Sequence, residues 1–449
     1  MEAENYLSGG YGLRLQFQNH SQGSRIGHIA SVWQPHRLKG IQLDKEFGTP
    51  FLAATQVFDL RPSPRKFLSL DRTEDSSERF IENGTIVVTC SGSVGRATLI
   101  YAAHKGVLIS HDLLRISPKK QKHWGWLYAF LRTKSAHEMM MSEKYGHMIK
   151  HLEPGHIEGV PVPILRDDLL RVFNDDVRRV LEHRNQAWSL QKEAEDAFAA
   201  AVGGVPSKGS ETGFTVRASE LLKTRRRLEA SFHSPMATDL IEQFKRRGLQ
   251  IELLADVSDG VWWLTRFKRI FGDEGDRYLS ADELFSINPG VTKRVLVEQA
   301  DNPDSYRVKA GWIVMACSGQ TYGLNGSVSL MTKKHEDAFF SHDLIRIIPK
   351  EGHIRPGYLF TVLGHPELGR PLVIRNAYGT SIPHLDPDDV ARTPVVRLKR
   401  EIEQEIAAKM ERAIELRVSA DALEDDLANR AELLIHEFLS GDVTSFCHS

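Results

Sequence analysis

The heptad "SHDLLRI" at residues 110–116 recurs as "SHDLIRI" at residues 341–347, 231 positions further along a chain of 449 residues. Upstream of each heptad stands the tripeptide "CSG", at 90–92 and again at 317–319, an offset of 227. Two matches in the same order, on either side of different loops, indicate one module present twice. A repeat has to be identified before any other feature is interpreted, because it determines the domain organisation.

Further matches extend the repeat in both directions. The stretch "GTPFLAATQVFDLRP" (48–62) aligns with "GDRYLSADELFSINP" (275–289) at an offset of 227, and "HLEP" (151–154) aligns with "HLDP" (384–387) at 233. The offset grows along the chain and never reverses, which small loop insertions in the second copy would produce. The sequence therefore predicts a tandem duplication in which each copy is long enough to hold its own core.

Each copy is followed by a long amphipathic segment without proline or glycine. In the second segment, apolar residues recur every four positions from Leu398 through Ile402, Ile406 and Met410 to Ile414. This spacing is typical of a helix with one apolar face, and it predicts helices over 165–202 and 398–440. Because a lone helix of about forty residues leaves its apolar face in water, we expect the two helices to pair with each other.

Short apolar runs bounded by glycine and serine dominate each copy before the long helix. "GTIVVTC", "RATLIYA" and "GVLIS" are typical of strands, and the second copy matches them with "GWIVMAC" and "GSVSLM". Shorter helices are expected at 124–133 and 356–366. The predicted fold class is α+β, with two tandem β-rich domains and two long helices. The predicted divisions are domain 1–164, helix 165–202, linker 203–213, domain 214–397, helix 398–440 and tail 441–449.

Charge is distributed unevenly along the chain. Residues 166–202 carry a net charge of −2 and residues 398–442 carry −6, so that the rest of the chain, at −1 overall, carries +7. The basic clusters are Lys119-Lys120-Gln121-Lys122, Arg225-Arg226-Arg227, Lys245-Arg246-Arg247, and Arg266 with Lys268 and Arg269. Basic domains joined by acidic helices fit a polyanion partner, although solvated surface charge explains the same clusters.

Motifs of common enzymes are missing from the sequence. It has no phosphate-binding GxxxxGK[ST], no HExxH, no GxSxG and no tetrapeptide of the NPPY or DPPY type that adenine methylases use. The repeated His111-Asp112 and His342-Asp343 are adjacent, and neighbours on a strand point to opposite faces. We therefore interpret them as residues that fix a turn or contact a phosphate.

The cellular setting is predicted from composition. Three cysteines without a CxxC pair argue against a disulfide framework or a zinc site, and Cys90 and Cys317 are interpreted as small residues that end buried strands. No apolar run approaches the roughly 18 residues of a membrane span. The start, "MEAENYLSGG", is acidic and unlike a signal peptide. The expected location is the cytoplasm, with no contact to a membrane.

The ordered motifs carry a family resemblance. "G(T/W)IV…CSG", "SHDL(L/I)RI" and "HL(E/D)P", each set followed by a long helix and the whole repeated once, resemble the specificity subunit of type I restriction-modification systems. The resemblance covers nearly the whole chain. One departure is that the first copy lacks the "RRLEASFHSP" opening (226–235) of the second and begins instead with "SGGYGLRLQF" (8–17). The N-terminal edge of the first domain is therefore left open.

The resemblance implies a division of labour. Each domain would be a target-recognition domain that reads one half of a split duplex DNA target, and the helices would pair as an antiparallel coiled coil that spaces the domains. Two methylase subunits would bind the helices, and restriction or translocase subunits would join through the methylase. S-adenosylmethionine, ATP and magnesium would be bound by those partners, so this chain is expected to hold no cofactor, no metal and no catalytic residue.

Two other functions remain open at this point. The chain could belong to a single-chain restriction and methylation enzyme with its own catalysis, but the missing methylase motifs count against that hypothesis. It could also be a duplicated scaffold without any DNA role. Methylation by the isolated chain would identify the first alternative, and the absence of salt-sensitive duplex binding would identify the second.

The DNA-reading residues are expected in loops that follow strands in both copies, because loops carry binding residues on a rigid support. Glycines let backbone N–H groups approach a phosphate, and long polar side chains reach base edges. The alternative is that these Ser-Gly and Tyr-Gly pairs only form tight turns. The candidates are Ser91, Gly92, Ser93, Arg96, Tyr145, Gly146, Lys150 and His151 in the first copy, and Ser318, Gly319, Gln320, Tyr322, Tyr378, Gly379, Ser381 and His384 in the second.

Overall fold

The structure is a computed structural model of the chain. It describes residues 3–18, 20, 23–37, 39–146, 150–206, 213–223, 227–289, 293–442 and 444–446. Arg225 and Arg226 of the predicted basic cluster, and parts of the predicted linker 203–213 and tail 441–449, lie outside the described residues. The chain divides into two compact units. The first unit comprises Met1–Trp188 and Leu416–Ser449, and the second unit comprises Ser189–Glu415.

Strands of the first unit form three sheets within the described residues. Their orders are β2-β9-β6-β7, β3-β5-β4-β8 and β1-β10, and β4 with β8 is the parallel pair. The strands are β1 Gly23–Arg25, β2 Ala30–Trp33, β3 Gln42–Leu43, β4 Thr49–Leu52, β5 Lys66–Leu68, β6 Ile86–Thr89, β7 Ala97–Leu99, β8 Leu108–Ile109, β9 Leu113–Pro118 and β10 Pro161–Pro163. Strand β6 is buried on both faces, as its unbroken apolar run predicts.

Helices of the first unit pack on these sheets. The helices are α1 Ala3–Tyr6, α2 Gly9–Gln18, α3 Ile26–Ile29, α4 Ser76–Arg79, α5 Trp124–Leu131, α6 Lys134–Met141, α7 Pro154–Glu158 and the first part of α8 Asp167–Val202. Every residue of α5 is buried, because its sequence is apolar all round. Thr133 caps α6 by accepting a hydrogen bond from the backbone N–H of Ala136 at 3.0 Å.

The glycine-rich start of the chain, which the resemblance left open, forms helix α2. Gly10 lies against the backbone of α6, and a Cβ built on it would stand 1.9 Å from the carbonyl oxygen of Glu138. A glycine is therefore required there for close helix packing. At the end of α2, Phe17 stacks on Phe438 with ring centroids 5.3 Å apart. These contacts join the N-terminal segment to the core of the first unit.

The second unit repeats this arrangement in its described residues. Its strands are β11 Gln250–Leu253, β12 Ser258–Trp262, β13 Phe271–Leu279, β14 Arg294–Val295, β15 Ile313–Ala316, β16 Val328–Leu330, β17 Phe339–Phe340, β18 Leu344–Pro349 and β19 Pro394–Arg397. Its helices are α9 Ala218–Lys223, α10 Pro235–Arg246, α11 Ala281–Leu284, α12 Pro356–Gly364, α13 Arg370–Ile374, α14 Pro387–Val390 and the first part of α15 Arg400–Ser440. The sheet orders are β12-β18-β15-β16, β14-β13-β17 and β11-β19.

The main sheet of each unit has the same strand order and the same register. Ile86 of β6 pairs with Ile116 of β9 in the first unit, and Ile313 of β15 pairs with Ile347 of β18 in the second. The paired residues are separated by the offsets of 227 and 231 found in the sequence. The predicted α+β class with several sheets and a long C-terminal helix is confirmed.

Within the first unit, α8 and α15 lie side by side and run in opposite directions. Arg430 donates to Asp176 at 2.6 Å, and Arg184, further along α8, lies 3.4 Å from Asp421, earlier in α15. Phe173 belongs to the apolar cluster that also contains the buried residues of α15 in this unit. Burial of the apolar faces and the ion pairs thus both stabilise the contact between α8 and α15 in this unit.

Within the second unit, the two long helices also share one apolar cluster. Phe198 of α8 and Ile406 and Met410 of α15 belong to it, and all three are buried. Lys409 lies 3.4 Å from Glu193, so ions flank the apolar contact here too.

Across the described ranges, no helix combines the length and apolarity that a membrane span requires.

Both long helices start two residues after their predicted boundaries, at Asp167 and Arg400. Leu165 instead forms an isolated antiparallel bridge with Phe446. The backbone N–H of Leu398 donates to the carboxylate of Glu403 at 2.8 Å, as an N-terminal capping contact does. The predicted starts were placed at the first apolar residue, whereas these bonds hold that residue outside the helix.

Candidate nucleic-acid interface

Two predicted loops of the first unit come together into one surface. Ser91, after β6, forms an isolated antiparallel bridge with His151, before α7. The N–H of Gly92 donates to the carbonyl of Lys150 at 3.1 Å, and Gly92 is exposed with φ of +72°. Since a side chain is strained at that φ, glycine suits the position. These bonds bring segments 91–93 and 150–151 into contact, which their sequence separation does not predict.

Tyr145 stands at the edge of this surface. Its backbone exchanges two hydrogen bonds with His151, at 3.1 and 2.8 Å, and its side chain is 41% exposed. The phenol donates to Glu153 at 2.7 Å, and this hydrogen bond raises the pKa of Tyr145. Gly146 follows with φ of +101°. The ring is therefore held at one end by the backbone bridge and at the other by a carboxylate, and one face remains open to solvent.

The second unit forms the same set of backbone hydrogen bonds between its two loops, and we call this shared set the backbone frame. Ser318 bridges His384, and His384 exchanges hydrogen bonds with the backbone of Tyr378 at 2.9 and 2.8 Å. The N–H of Gly319 donates to the carbonyl of Pro383 at 3.1 Å. Bond for bond, this matches the frame of the first unit. We call the two surfaces loop surface 1 (91–93 with 145–146 and 150–151) and loop surface 2 (318–322 with 378–384).

Polar side chains differ between the two loop surfaces. In loop surface 2, Gln320 reaches the carbonyl of Ser381 at 2.9 Å, Tyr322 is 66% exposed and Tyr378 is 37% exposed. Gly379, with φ of +94°, lies in the exposed stretch 378–382. The buried Asn325 holds the turn by donating to the carbonyl of Gly319 at 3.0 Å. The exposed positions thus carry different chemistry on the same backbone frame.

Arg96 lies away from the tip of loop surface 1. Its backbone N–H donates to the hydroxyl of Thr89 at 3.0 Å, and its guanidinium carbon stands 4.2 Å from the ring centroid of Phe58. Burial, together with the like charges of Arg132 and Arg184, lowers the pKa of Arg96 to about 10. The half-buried guanidinium packs on an aromatic face, a placement that favours a structural role over the predicted contact with a base edge.

The repeated heptad builds a turn that a buried arginine closes. In the first unit, Ser110 donates to Asp112 at 3.0 Å, and the N–H of Asp112 donates back to the Ser110 hydroxyl at 3.1 Å. Arg115 is fully buried and donates to the carbonyls of Ser110 and Ile109 at 3.0 and 3.2 Å. Burial lowers the pKa of Arg115 to about 10. The motif therefore satisfies backbone carbonyls that the turn leaves unpaired.

The second heptad makes the corresponding turn. The N–H of Asp343 donates to the Ser341 hydroxyl at 3.2 Å, and the buried Arg346 donates to the carbonyls of Leu344 and Ser341 at 2.7 and 3.4 Å. Burial likewise lowers the pKa of Arg346 to about 10. The recurrence of serine, aspartate and arginine in the two heptads follows from this structural requirement, since each of the three bonds within its own turn.

The expectation that adjacent His and Asp side chains diverge is wrong. His111 and His342 lie in turns outside the strands, and their Nε2 atoms stand 3.5 and 3.3 Å from Asp112 and Asp343. Partial burial lowers the pKa of both histidines. The His–Asp contact is part of the turn that the heptad forms.

Metal and nucleophile sites are not evident in the described part of the chain. No group of three or more His, Cys, Asp or Glu residues there could hold a metal ion. Burial raises the pKa of the Cys90 and Cys317 thiols to about 12, so both stay protonated at neutral pH. Each cysteine instead supplies its carbonyl oxygen to the frame, accepting from Leu152 at 2.9 Å and from Leu385 at 2.8 Å respectively.

One surface feature was present in the sequence only as a charge cluster. Arg266, Lys268 and Arg269 are exposed and line a cleft of the second unit with Phe271 and Lys293. The sequence alone did not include them among the candidate DNA-binding residues, because no motif surrounds them. Alternation of basic residues with phenylalanine in "RFKRIF" (266–271) is the signal that could have identified them.

Neither a protein-family model nor a curated protein matches this chain. Among solved structures, it is similar to the type I restriction-modification S subunit from M. genitalium, at 13% identity over 96% of this chain and 97% of that chain, with a TM-score of 0.30. The HsdS subunit from Thermoanaerobacter tengcongensis gives 12% identity over 94% and 96%, with a TM-score of 0.28. The type IIG restriction endonuclease BpuSI gives 13% identity over 39% and 28%, with a TM-score of 0.29. The chain is thus similar to S and HsdS subunits over nearly its whole length and to BpuSI over part of it.

Proposed function

We propose that this protein is the DNA sequence-specificity subunit of a type I restriction-modification complex. The observation that carries the proposal is the pair of loop surfaces, which share their backbone hydrogen bonds and differ in their exposed polar side chains. Two surfaces with one frame and different chemistry suit a bipartite target in which each half has its own sequence. Each unit would then read one half-site of duplex DNA.

The chemistry of the loop surfaces supports this reading of bases and phosphates. Hydroxyl, imidazole and amide groups donate and accept hydrogen bonds at base edges in the major groove, and exposed glycines let backbone N–H groups approach phosphates. Tyr145 and Tyr378 add exposed rings that can pack on sugars or on thymine methyl groups. Sequence preference would come from the exposed side chains, because the backbone frame is the same in both units.

The long helices supply the second part of the proposal. We propose that α8 and α15 pair as an antiparallel coiled coil that spaces the two recognition domains, 1–164 and 214–397. The segments that contain them carry a combined net charge of −8, which repels the DNA backbone and leaves their outer faces to protein partners. Two methylase subunits would dock there, one per half of the repeat, with restriction or translocase subunits attached through the methylase.

Catalysis would then reside in the partners. The methylase would bind S-adenosylmethionine, and the translocase would bind ATP and magnesium, while this chain would supply specificity and assembly in the cytoplasm. Methyl transfer by the isolated chain to DNA would contradict this division of labour. The same measurement with the assembled complex gives the positive control.

The decisive experiment combines binding and sequencing. The complex with its methylase subunits should bind duplex DNA with an affinity that falls steeply with salt, and sequencing of methylated bases in a host carrying the system should reveal one split motif. Exchanging the side chains of loop surface 2 for alanine should relax one half of that motif and leave the other intact. Relaxation of both halves, or of neither, would refute the assignment of one half-site to each unit.

A further inference from the structure

A cluster of exposed cations in the second unit is anchored by a buried aromatic ring. Arg266, Lys268 and Arg269 are exposed, whereas Phe267 between them is only 9% exposed. The Phe267 ring packs on those of Tyr306 and Phe339, with centroids 4.9 and 5.3 Å away. Because the anchor fixes the backbone of the segment, the three cations are presented at a defined place on the surface.

These cations line a cleft of about 530 Å³, which we call the basic cleft; it is lined by Arg266, Phe267, Lys268, Arg269, Phe271, Tyr278, Ser280 and Lys293. Arg269 is held at the cleft by its hydrogen bond to the Tyr278 hydroxyl at 3.2 Å. Phe271 is 52% exposed and meets the Tyr278 ring edge to face, with centroids 5.7 Å apart. The cleft therefore combines positive charge with one exposed apolar ring.

Charge in the basic cleft is largely uncompensated. Glu283 lies 3.2 Å from Lys293 and neutralises it. Asp276, which lies on β13 with Phe271 and Tyr278, pairs with Arg307. Among the described residues, Arg266, Lys268 and Arg269 have no carboxylate within ion-pair distance. Three cations without a carboxylate partner around an open cleft favour an anionic ligand whose charges are repeated along a chain.

The first unit carries only part of this feature at the corresponding positions. The parallel pair Tyr278–Phe339 matches the pair Phe51–Leu108, which fixes the correspondence between the units at an offset of 227 on this strand. That offset holds after the register shift in β13 between Phe271 and Asp276. Before the shift, Phe271 pairs with Val295 as Gln42 pairs with Leu68, which gives an offset of 229. Arg266, Lys268, Arg269 and Phe271 therefore correspond to Arg37, Lys39, Gly40 and Gln42. Two cations are kept, whereas Arg269 and Phe271 are replaced by the neutral residues Gly40 and Gln42.

Building on the proposed function, we infer that the basic cleft is a clamp for the phosphates of duplex DNA and that the two half-sites are therefore held unequally. The second unit would contribute one phosphate contact more than the first, because Arg269 corresponds to Gly40, whereas Arg266 and Lys268 have counterparts in Arg37 and Lys39. Phosphate oxygens accept from guanidinium and ammonium donors, and Phe271 packs on the adjoining sugar.

The test measures the salt dependence of binding by the complex with its methylase subunits. Affinity for a labelled target duplex and for a scrambled duplex is measured at several salt concentrations. Each lost phosphate contact lowers the slope of log K against log salt by about 0.9, so the triple variant Arg266→Gln, Lys268→Gln, Arg269→Gln should lower it by about 2 to 3 on both duplexes. The matched control removes three other exposed cations of the same unit, in Lys245→Gln, Arg246→Gln, Lys350→Gln, and should leave the slope nearly unchanged.

Each outcome decides between explanations. Equal slopes for both triple variants, or a loss confined to the target duplex, would overturn the phosphate clamp. Binding of tripolyphosphate that depends on the three cations, without any change in duplex slope, would overturn it in favour of a small anion. If the wild-type complex binds neither duplex, the proposed function itself fails, whereas salt-dependent binding with no effect of the cleft variant refutes only this inference.

Discussion

A buried carboxylate connects three helices inside the first unit. Glu424 of α15 is fully buried, accepts a hydrogen bond from the Tyr128 hydroxyl of α5 and accepts a second from Arg184 of α8 at 2.6 Å. Arg132 stands 3.9 Å away. Burial raises the pKa of Tyr128, so that its hydroxyl stays a donor at any physiological pH. Glu424 is thus the shared acceptor of a network that fixes how α15 packs against α5 and α8 in this unit.

Replacing Glu424 with glutamine should destabilise the first unit severely. The amide keeps the shape but removes the charge, so the buried Arg184 and the partly buried Arg132 lose the carboxylate they share, while Asp421 stays near Arg184 and Asp425 still acts on Arg132. Breaking a buried ion pair on one side costs about 3–5 kcal/mol, because the remaining charge has lost its partner. With a slope of roughly 2–3 kcal/mol per molar urea, the unfolding midpoint should fall by about 1–2 M.

Hydrogen exchange at the amides of α5, followed against urea, reports the stability of the first unit separately from that of the second. The matched control is Asp175→Asn on α8, which breaks an exposed pair with Arg178 and should cost about 0–1 kcal/mol. A Glu424→Gln variant within 1 kcal/mol of this control would refute the reasoning. Adding Arg184→Met to Glu424→Gln should cost less than the sum of the two single changes, because the unpaired cation is then removed.

Three further predictions follow from the site and the cores. Tyr145→Ala and Tyr378→Ala should each weaken binding by about 1–3 kcal/mol and relax opposite halves of the target, as measured by binding to half-site variants. Burial lowers the pKa of His104 from 6.5 to about 4. The unfolded chain therefore takes up a proton first, and stability of the first unit should fall by about 3 kcal/mol between pH 6.5 and 4, a slope that His104→Gln should flatten. Ile406→Asp, which buries a charge between α15 and α8, should unfold the second unit or make the chain insoluble, as light scattering and circular dichroism would show.

Local and periodic features of the fold were accessible from the sequence. The repeated heptads, the apolar runs of β6 and β15, and the four-residue spacing from Leu398 to Ile414 each depend on neighbours close in the chain. Their hydrogen bonds and burial follow directly from that local pattern. The α+β class and the extent of the long helices could therefore be predicted to within a few residues.

Contacts between distant segments were not accessible. Glu424 and Tyr128 are 296 residues apart, and no local signal in the sequence indicates that this carboxylate of an amphipathic helix is buried. Arg96 is among the residues that the sequence predicts to read DNA, because the sequence does not show that Phe58 lies beneath its guanidinium. In the same way, the cations of the basic cleft were visible as charge, but their presentation depends on Phe267 packing against Tyr306 and Phe339.

The backbone frame of the loop surfaces has a consequence for evolution. Its bonds run between main-chain N–H and C=O groups, and the arginine of each heptad likewise bonds only main-chain carbonyls. Substitutions at exposed positions such as Tyr145, Gln320 or Tyr322 therefore leave the frame intact. Under the proposed function, a lineage under pressure to change its target can diversify these positions, and the two halves can change independently of each other. New combinations of half-sites then arise from mutations that carry little risk to folding.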